Sequence, residues 1–217
     1  MNPIVLVTTC WKYEKEGFND VIRRTWLPLA VNAGLHVRML YGDNPQDSHC
    51  PDYSWVMDCP DDYAHIAHKT KLGHAFALDA GFDHIFQCFA DTYIHPQRLI
   101  NSGFERYDYS GHFIGSTSEY AELGDYATGG SGYWLSKRAS EIVVRAEFQH
   151  ALEEWADDLW VGRIMRDSGI VGKNDLRYFR NGDHLGDEGI TCHLSKGTNN
   201  YCPAWMEKIH HYTMEGR

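Results

Sequence analysis

The sequence of 217 residues lacks the features that mark membrane and secreted proteins. It has no apolar run close to the roughly 20 residues that cross a bilayer. Its N-terminus lacks the basic region that opens a signal peptide. It also shows no internal repeat, low-complexity tract or linker composition. We therefore expect a cytoplasmic protein that forms one domain over residues 1–217.

Basic charge is also scarce, because 20 Lys and Arg face 30 Asp and Glu and the formal net charge is -10. Such a charge gives no global attraction to nucleic acid or to an anionic membrane surface. A local basic groove would still allow nucleic-acid binding. With 43% hydrophobic and 23% charged residues, the composition is that of an ordinary globular protein with a sizeable core.

The cysteines lack the spacing of a metal or redox motif, since no C-x-x-C pair and no zinc-like arrangement occurs. Reduced and mostly buried thiols are expected. A bridge between Cys192 and Cys202 stays open as the alternative. The six cysteines are Cys10, Cys50, Cys59, Cys88, Cys192 and Cys202.

The first half of the chain alternates predicted strands and helices in the order β-α-β-β-α-β. This order predicts a doubly wound, mostly parallel sheet. The second helix would bury Ile66, Leu72, Phe76 and Leu78 as its apolar face. The predicted strands cover residues 3–10, 35–42, 54–59 and 83–94, and the predicted helices cover residues 13–34 and 60–81.

The second half is less regular, and its elements are shorter. From residue 170 onward the chain is polar, and we expect loops there. The predicted elements are a helix in 95–104, a strand in 107–116, a glycine-rich turn with a strand and helix in 125–148, and a helix over 153–169 that Gly169 ends.

Polar side chains follow the predicted strands at the edge where open α/β sheets bind ligands, beyond the carboxyl ends. Thr8 and Thr9 follow the first strand, and Asp91 interrupts the end of the fourth. An aspartate at such a place is also a common cap or turn former. Asp91 therefore becomes a candidate ligand only if other residues join it.

Two later segments could carry chemistry. The stretch TGGSGYWLSK, residues 128–137, allows a backbone to approach a ligand closely, or forms only a tight turn. Asp157 and Asp158 stand near a helix start, where acids complement the helix dipole. As an alternative, one carboxylate could orient a substrate while the other accepts its proton.

A histidine pair, His210 and His211, lies near the C-terminus. If this segment is a strand, the two side chains point to opposite faces, and only one of them could join Asp91 at a metal. On the residues alone, the chain would be an α/β enzyme that binds a nucleotide with a divalent metal.

Six motifs in order resemble those of glycosyltransferase family 31, which includes Fringe, the β-1,3-galactosyltransferases and core-1 synthase. The resemblance covers about residues 4–166 and the final HHYT. It implies a single-domain GT-A fold, a Rossmann-like nucleotide-sugar-binding α/β fold with a mostly parallel central sheet. The motifs are RRTW (23–26), DDYAHIAHKT (61–70), FADTYI (89–94), YATGGSGYWLSKRA (126–139), DDLWVGRIM (157–165) and HHY (210–212).

The resemblance implies a hexosyltransferase that moves a sugar from a UDP-sugar to an acceptor hydroxyl with inversion and with Mn²⁺ or Mg²⁺. Residues 1–95 would form the nucleotide-binding half and residues 96–217 the acceptor-binding half. Asp91 and His211 would bind the metal, although His210 stays open in place of His211. Asp158 would be the general base, with Asp157 beside it. The donor-binding residues would be Thr8, Thr9, Arg24, Lys69, Asp91, Gly129 and Gly130.

The chain departs from the family at Phe89 and Ala90, where the family has two further acids. This departure supports an alternative, a catalytically weak or inactive nucleotide-sugar-binding module. The cytoplasmic location suggests a microbe or a virus, where the acceptor would be a glycan, a protein, a small molecule or a hydroxymethylated base in viral DNA. Arg23, Arg24 and Lys137 keep the DNA acceptor open, whereas a membrane partner is not expected.

Overall fold

The protein is a mixed α/β domain built on a central sheet. The computed structural model describes residues 1–43, 50–115, 124–179, 184–194 and 196–215. Among the helices of these residues, none is both long and apolar enough to cross a bilayer. All six cysteines lie within the described ranges and none of them forms a disulfide, so the alternative bridge between Cys192 and Cys202 is absent.

Twelve short strands are described. The list in chain order is β1 (Pro3–Thr8), β2 (His36–Tyr41), β3 (Ser54–Val56), β4 (His84–Phe89), β5 (Thr92–Ile94), β6 (Tyr109–Gly111), β7 (Phe113–Ile114), β8 (Tyr126–Ala127), β9 (Tyr133–Ser136), β10 (Lys173–Asn174), β11 (Tyr178–Phe179) and β12 (Thr191–His193).

Seven of these strands form the central sheet in the order β10-β6-β9-β4-β1-β2-β3. Strand β9 runs antiparallel to both neighbours, and every other pairing in this sheet is parallel. Strand β1 is buried on both faces, as its run of apolar residues predicts for a central parallel strand. The prediction of one α/β domain with a mostly parallel sheet is confirmed.

The prediction of one continuous helix over residues 13–34 is wrong. Three helices occupy the segment, α1 (Trp11–Glu16), α2 (Phe18–Arg24) and α3 (Trp26–Asn32). Gly17 has a φ of 86°, a left-handed conformation that favours glycine and ends a helix. Thr25, between α2 and α3, has φ of -111° and ψ of -96°, outside the helical region.

The predicted helix over residues 60–81 forms a 3₁₀ turn (Tyr63–His65) and then α4 (Ile66–Asp79). Its predicted apolar face is wrong, because Phe76 is exposed and Ile66, Leu72 and Leu78 are only partly buried. The buried face carries small and polar residues, since the helix lies very close to the sheet. The buried residues are Ala67, Lys69, Thr70, Gly73, His74 and Ala77.

The predicted strand over residues 83–94 is two strands in different sheets. Strand β4 ends at Phe89 in the central sheet, and Ala90 and Asp91 form a turn. Strand β5 then joins a three-stranded sheet of order β11-β12-β5. Asp91 therefore lies at the point where the chain passes from one sheet to the other.

The second half contains more regular structure than the sequence predicts. The predicted helix at 153–169 begins late, because Ala151–Glu154 is a 3₁₀ turn. The segment after residue 170, where loops were expected, ends in a long helix, α8 (Pro203–Glu215). His210 and His211 lie on this helix, so the case in which they belong to a strand does not apply. The remaining helices are α5 (Pro96–Ile100), α6 (Lys137–Arg145), α7 (Asp157–Asp167) and α8 (Pro203–Glu215).

Candidate active site

A cavity of about 590 Å³ opens at the carboxyl ends of β1 and β4. These two strands are parallel neighbours, with Thr8 opposite Phe89, so their ends meet at one edge of the sheet. The structure brings most of the predicted site residues to this cavity. Those that line it are Thr8, Thr9, Lys69, Asp91, Gly130, Asp157 and Asp158.

Lys69 shapes one wall of the cavity from α4. Its Nζ donates to the carbonyl oxygen of Thr9 at 2.7 Å and to Asp61 Oδ1 at 3.0 Å. Asp61 also accepts from the backbone N–H groups of Trp11 (2.7 Å) and Gly42 (2.8 Å). Lys69 is buried and paired with Asp61, and these contacts fix the end of β1.

Asp91 is 1% exposed and is the centre of a polar cluster. Its Oδ2 accepts from Tyr201 Oη at 2.9 Å and lies 3.4 Å from Lys196 Nζ. Its Oδ1 lies 3.3 Å from His193 Nε2. Burial acts to raise the pKa of Asp91, but its polar partners, His193 first, outweigh burial and lower the pKa to about 2. Asp91 is therefore an anion at neutral pH.

The histidine beside Asp91 is His193, which the sequence analysis missed. It lies on β12, which pairs antiparallel with β5 so that His193 is opposite Thr92. His211 is exposed on α8 and is not among the residues that line the cavity. His210 contacts Tyr93 through Nδ1 at 3.0 Å from its hydroxyl. The family resemblance paired Asp91 with His211, whereas in this structure His193 is the histidine beside Asp91.

The atoms Asp91 Oδ1 and His193 Nε2 fit a divalent ion. Both atoms are buried. Neighbouring ligands at right angles and about 2.1 Å from an ion lie about 3 Å apart, close to the observed 3.3 Å. Oxygen and imidazole donors suit Mn²⁺. Within the described ranges no cluster of three such side chains occurs, which leaves coordination positions to water and phosphate oxygens.

The glycine-rich turn joins this cluster to the aspartate pair. The N–H of Gly129 donates to Asp158 Oδ2 at 3.0 Å, and the carbonyl of Gly130 accepts from Thr92 Oγ1 at 2.7 Å. A Cβ on Gly130 would lie 2.6 Å from His193 Nδ1, and one on Gly129 would lie 2.8 Å from the Phe89 ring. Glycine is needed because the turn packs directly against the site.

Asp157 and Asp158 open α7 and differ in environment. Asp157 is buried, and its Oδ2 accepts from Thr70 Oγ1 at 3.1 Å and from Tyr133 Oη at 3.2 Å. Burial, and then the charge of Asp158, raise the pKa of Asp157 to about 7. Asp158 is only partly buried. It is therefore the carboxylate of the pair that a substrate can reach.

Two exposed aromatic side chains line the cavity near Asp158. Tyr63 is 63% exposed and Trp155 is 39% exposed. Their ring centroids lie 5.7 Å apart. Each side chain belongs to a short irregular segment without helical or strand periodicity, so periodicity could not single them out.

Arg24, also predicted to bind the donor, is not among the residues that line the cavity. Its guanidinium lies 3.1 Å from Asp20 Oδ2 and 2.6 Å from Glu207 Oε1, which ties α2 to α8. Arg23 pairs with Glu14 at 2.7 Å. The basic residues of RRTW therefore serve local packing in this structure.

No family model matches the chain, and no curated protein matches it. Several solved structures are similar to the chain. The galactosyltransferase LgtC, in complex with donor and acceptor sugar analogues, has a TM-score of 0.60 and 12% identity, over 98% of this chain and 95% of that one. The inositol-1-phosphate CTP transferase from T. maritima has a TM-score of 0.56 and 11% identity, over 95% of each chain.

A third structure similar to this chain is the Drosophila β-1,4-galactosyltransferase 7 in complex with manganese, UDP-Gal and xylobiose. Its TM-score is 0.52 at 13% identity, over 93% of this chain and 73% of that one. At these identities the likeness establishes the fold, which is a GT-A fold. The resemblance to glycosyltransferase family 31 stays a prediction.

Proposed function

We propose that the protein is an inverting glycosyltransferase that moves a sugar from a UDP-sugar to an acceptor hydroxyl, with Mn²⁺ or Mg²⁺ at Asp91. One observation carries the proposal. The Asp91–His193 pair and Asp158 line the same cavity, and the glycine-rich turn contacts both. The proposal includes a cytoplasmic location and a donor half over residues 1–95, which His193 joins from the acceptor half over residues 96–217.

The reaction breaks the bond between the sugar carbon and the diphosphate and forms a bond to the acceptor oxygen. Asp158 accepts the proton of the acceptor hydroxyl, and the N–H of Gly129 orients its carboxylate. Asp91 and His193 would hold the divalent ion, which neutralises charge on the departing diphosphate. Inversion requires the base on the face opposite the leaving group, and Asp158 would supply it.

Asp157 is a positioning residue in this proposal. Its carboxyl is buried and takes hydrogen bonds from Thr70 and Tyr133, which belong to α4 and β9. These contacts fix the start of α7, where Asp158 follows in the chain. The raised pKa of Asp157 limits the repulsion between the two neighbouring carboxyl groups near neutral pH.

The metal assignment predicts different results for two histidines. Mn²⁺ should raise the UDP affinity of the wild type by about tenfold or more. Asp91→Ala and His193→Ala should each abolish this increase, because each deletes a ligand of the ion. His211→Ala is the matched control on α8 and should keep that increase. Calorimetric titration of UDP with Mn²⁺ and with EDTA measures it. Equal UDP affinity in Mn²⁺ and EDTA for the wild type would contradict a metal at this site.

The acceptor side of the cavity favours a neutral sugar over DNA. Tyr63 and Trp155 offer two aromatic faces, and such amphipathic rings suit ligands with an apolar face and polar edges. Asp62 and Asp158 line the same cavity. Duplex DNA needs cations along its phosphates, so these acids disfavour it as an acceptor.

Trp155→Ala should raise the KM for a glycoside acceptor by about tenfold, because one stacking face is lost. UDP affinity and hydrolysis of the UDP-sugar should not change. Tyr107→Ala, an exposed tyrosine that is not among the cavity residues, is the control. Steady-state kinetics with a panel of glycosides makes the measurement. A gel shift of hydroxymethylated duplex DNA at low salt would instead support the DNA acceptor.

Phe89 and Ala90 support the competing proposal of a binding module without activity. The Phe89 ring lines the cavity and Ala90 is buried, so Asp91 is the one acid of this turn. Incubation with a panel of UDP-sugars decides between the two proposals. Slow release of UDP by hydrolysis supports the enzyme, whereas UDP binding without hydrolysis or transfer supports the module.

A further inference from the structure

Three lysines of the described chain line the cavity, and they differ in what holds them. Lys69 is buried and paired with Asp61 and the Thr9 carbonyl. Lys12 is 75% exposed and lies 3.7 Å from Glu16. Lys196 lies 3.4 Å from Asp91 Oδ2, while 53% of its side chain is exposed. Lys196 is therefore the cavity cation that is both beside Asp91 and accessible to a ligand.

The negative charge of Asp91 opposes the binding of a diphosphate nearby. A nucleoside diphosphate brings several negative charges toward a carboxylate that is itself ionised. The protein supplies only Asp91 and His193 as ligands for a divalent ion within the described ranges. A second positive charge that can reach the same oxygens would reduce the repulsion.

If Lys196 turns away from Asp91, the carboxylate keeps other polar partners. Tyr201 donates to the same Oδ2 at 2.9 Å, and His193 lies beside Oδ1. The lysine has a flexible four-carbon stem with three donors at its end. Its ammonium can therefore exchange a carboxylate oxygen for a phosphate oxygen within the cavity.

We propose that Lys196 is a diphosphate ligand whose ammonium moves from Asp91 Oδ2 to the donor diphosphate and gives the site a positive charge independent of any metal. This inference rests on the proposed function, because it concerns the donor of that reaction. It also explains how a site with a single acid on its strand-end turn would hold a highly charged donor. UDP binding should then persist, at lower affinity, in EDTA.

Calorimetric titration with UDP and with uridine tests the proposal in EDTA and in Mn²⁺. In EDTA, Lys196→Met should weaken UDP binding by about tenfold or more, since a charge-assisted contact is lost. Uridine affinity should not change, because uridine carries no phosphate. Lys196→Arg should restore most of the UDP affinity. Lys208→Met, which removes a lysine on α8 that stacks 4.4 Å over Trp205, is the matched control.

Two results would overturn the role of Lys196. One is unchanged UDP affinity of Lys196→Met in EDTA. The other is an equal loss of UDP and uridine affinity, which would mean that the substitution damages the pocket as a whole. Failure of the proposed function looks different, because the wild-type protein would then bind neither UDP nor another nucleoside diphosphate, with or without Mn²⁺.

Discussion

Asp158→Asn lowers the rate of sugar transfer by about 10²- to 10⁴-fold in the proposed mechanism, because the general base is lost. The amide side chain has nearly the same shape and keeps an oxygen that can accept the Gly129 N–H. The substitution should therefore leave the turn, and with it UDP affinity, intact. Single-turnover transfer at saturating UDP-sugar measures the loss, and calorimetry with UDP measures the retained binding.

The control for Asp158→Asn is Asp79→Asn at the exposed end of α4, which should transfer sugar at the wild-type rate. Retained transfer in Asp158→Asn would remove Asp158 as the base. Lost transfer together with lost UDP binding would contradict the separation of base and donor site. The prediction is sharp because the Gly129 N–H that joins Asp158 to the glycine-rich turn is a contact that the asparagine oxygen can still accept.

The part of the site on β1 and β4 could be predicted from the sequence. Strong apolar runs identify both strands, and parallel neighbours in such a sheet place their carboxyl ends together. That rule brings Thr8, Thr9 and Asp91 to one edge. The glycine-rich turn and Asp158 could be selected by their residue types, although only the structure shows that Gly129 holds Asp158.

His193 could not be predicted because its position depends on pairing between distant segments. Strand β12 has three residues and pairs with β5, about a hundred positions earlier in the chain. So short a strand carries no periodic signal. Helix α8 was missed for a related reason, since Met206 and Ile209 are the buried residues among its described side chains, and two positions give little periodic signal.

Helix α4 shows where apolar periodicity gives the wrong face. A Cβ on Gly73 would lie 2.4 Å from Leu40 Cδ1, so the helix is too close to β2 for large side chains there. Small residues and paired polar residues fill the interface, and Phe76 stays exposed. Lys69 and Thr70 are thereby carried into the site on the buried face, where each has a polar partner.

Asp157→Asn should raise the stability of the folded protein above neutral pH. Burial and the charge of Asp158 raise the pKa of Asp157 in the folded state to about 7, whereas an unfolded aspartate has a pKa of about 3.9. The folded state therefore binds more protons between these values, and the free energy of unfolding falls as the pH rises from about 4 to 7. The loss is complete above pH 7, at up to about 4 kcal/mol.

The asparagine cannot ionise, and its carbonyl oxygen can still accept from Thr70 and Tyr133. The difference in unfolding free energy between Asp157→Asn and the wild type should therefore grow by about 3 kcal/mol between pH 4.5 and pH 8. Urea denaturation at both pH values measures it. Titrating groups that do not interact with Asp157 cancel in this difference, whereas the repulsion between Asp157 and Asp158 is part of the measured effect.

Asp157→Leu separates the charge from the hydrogen bonds. It also removes the ionisation but leaves Thr70 Oγ1 and Tyr133 Oη without their described partner, so it should be less stable than Asp157→Asn at every pH. A difference between Asp157→Asn and wild type that is the same at pH 4.5 and pH 8 would contradict the raised pKa. Asp157 would then be ionised at neutral pH, as an exposed aspartate is. Both carboxyl groups of the pair would be negatively charged, and they would not differ in protonation state.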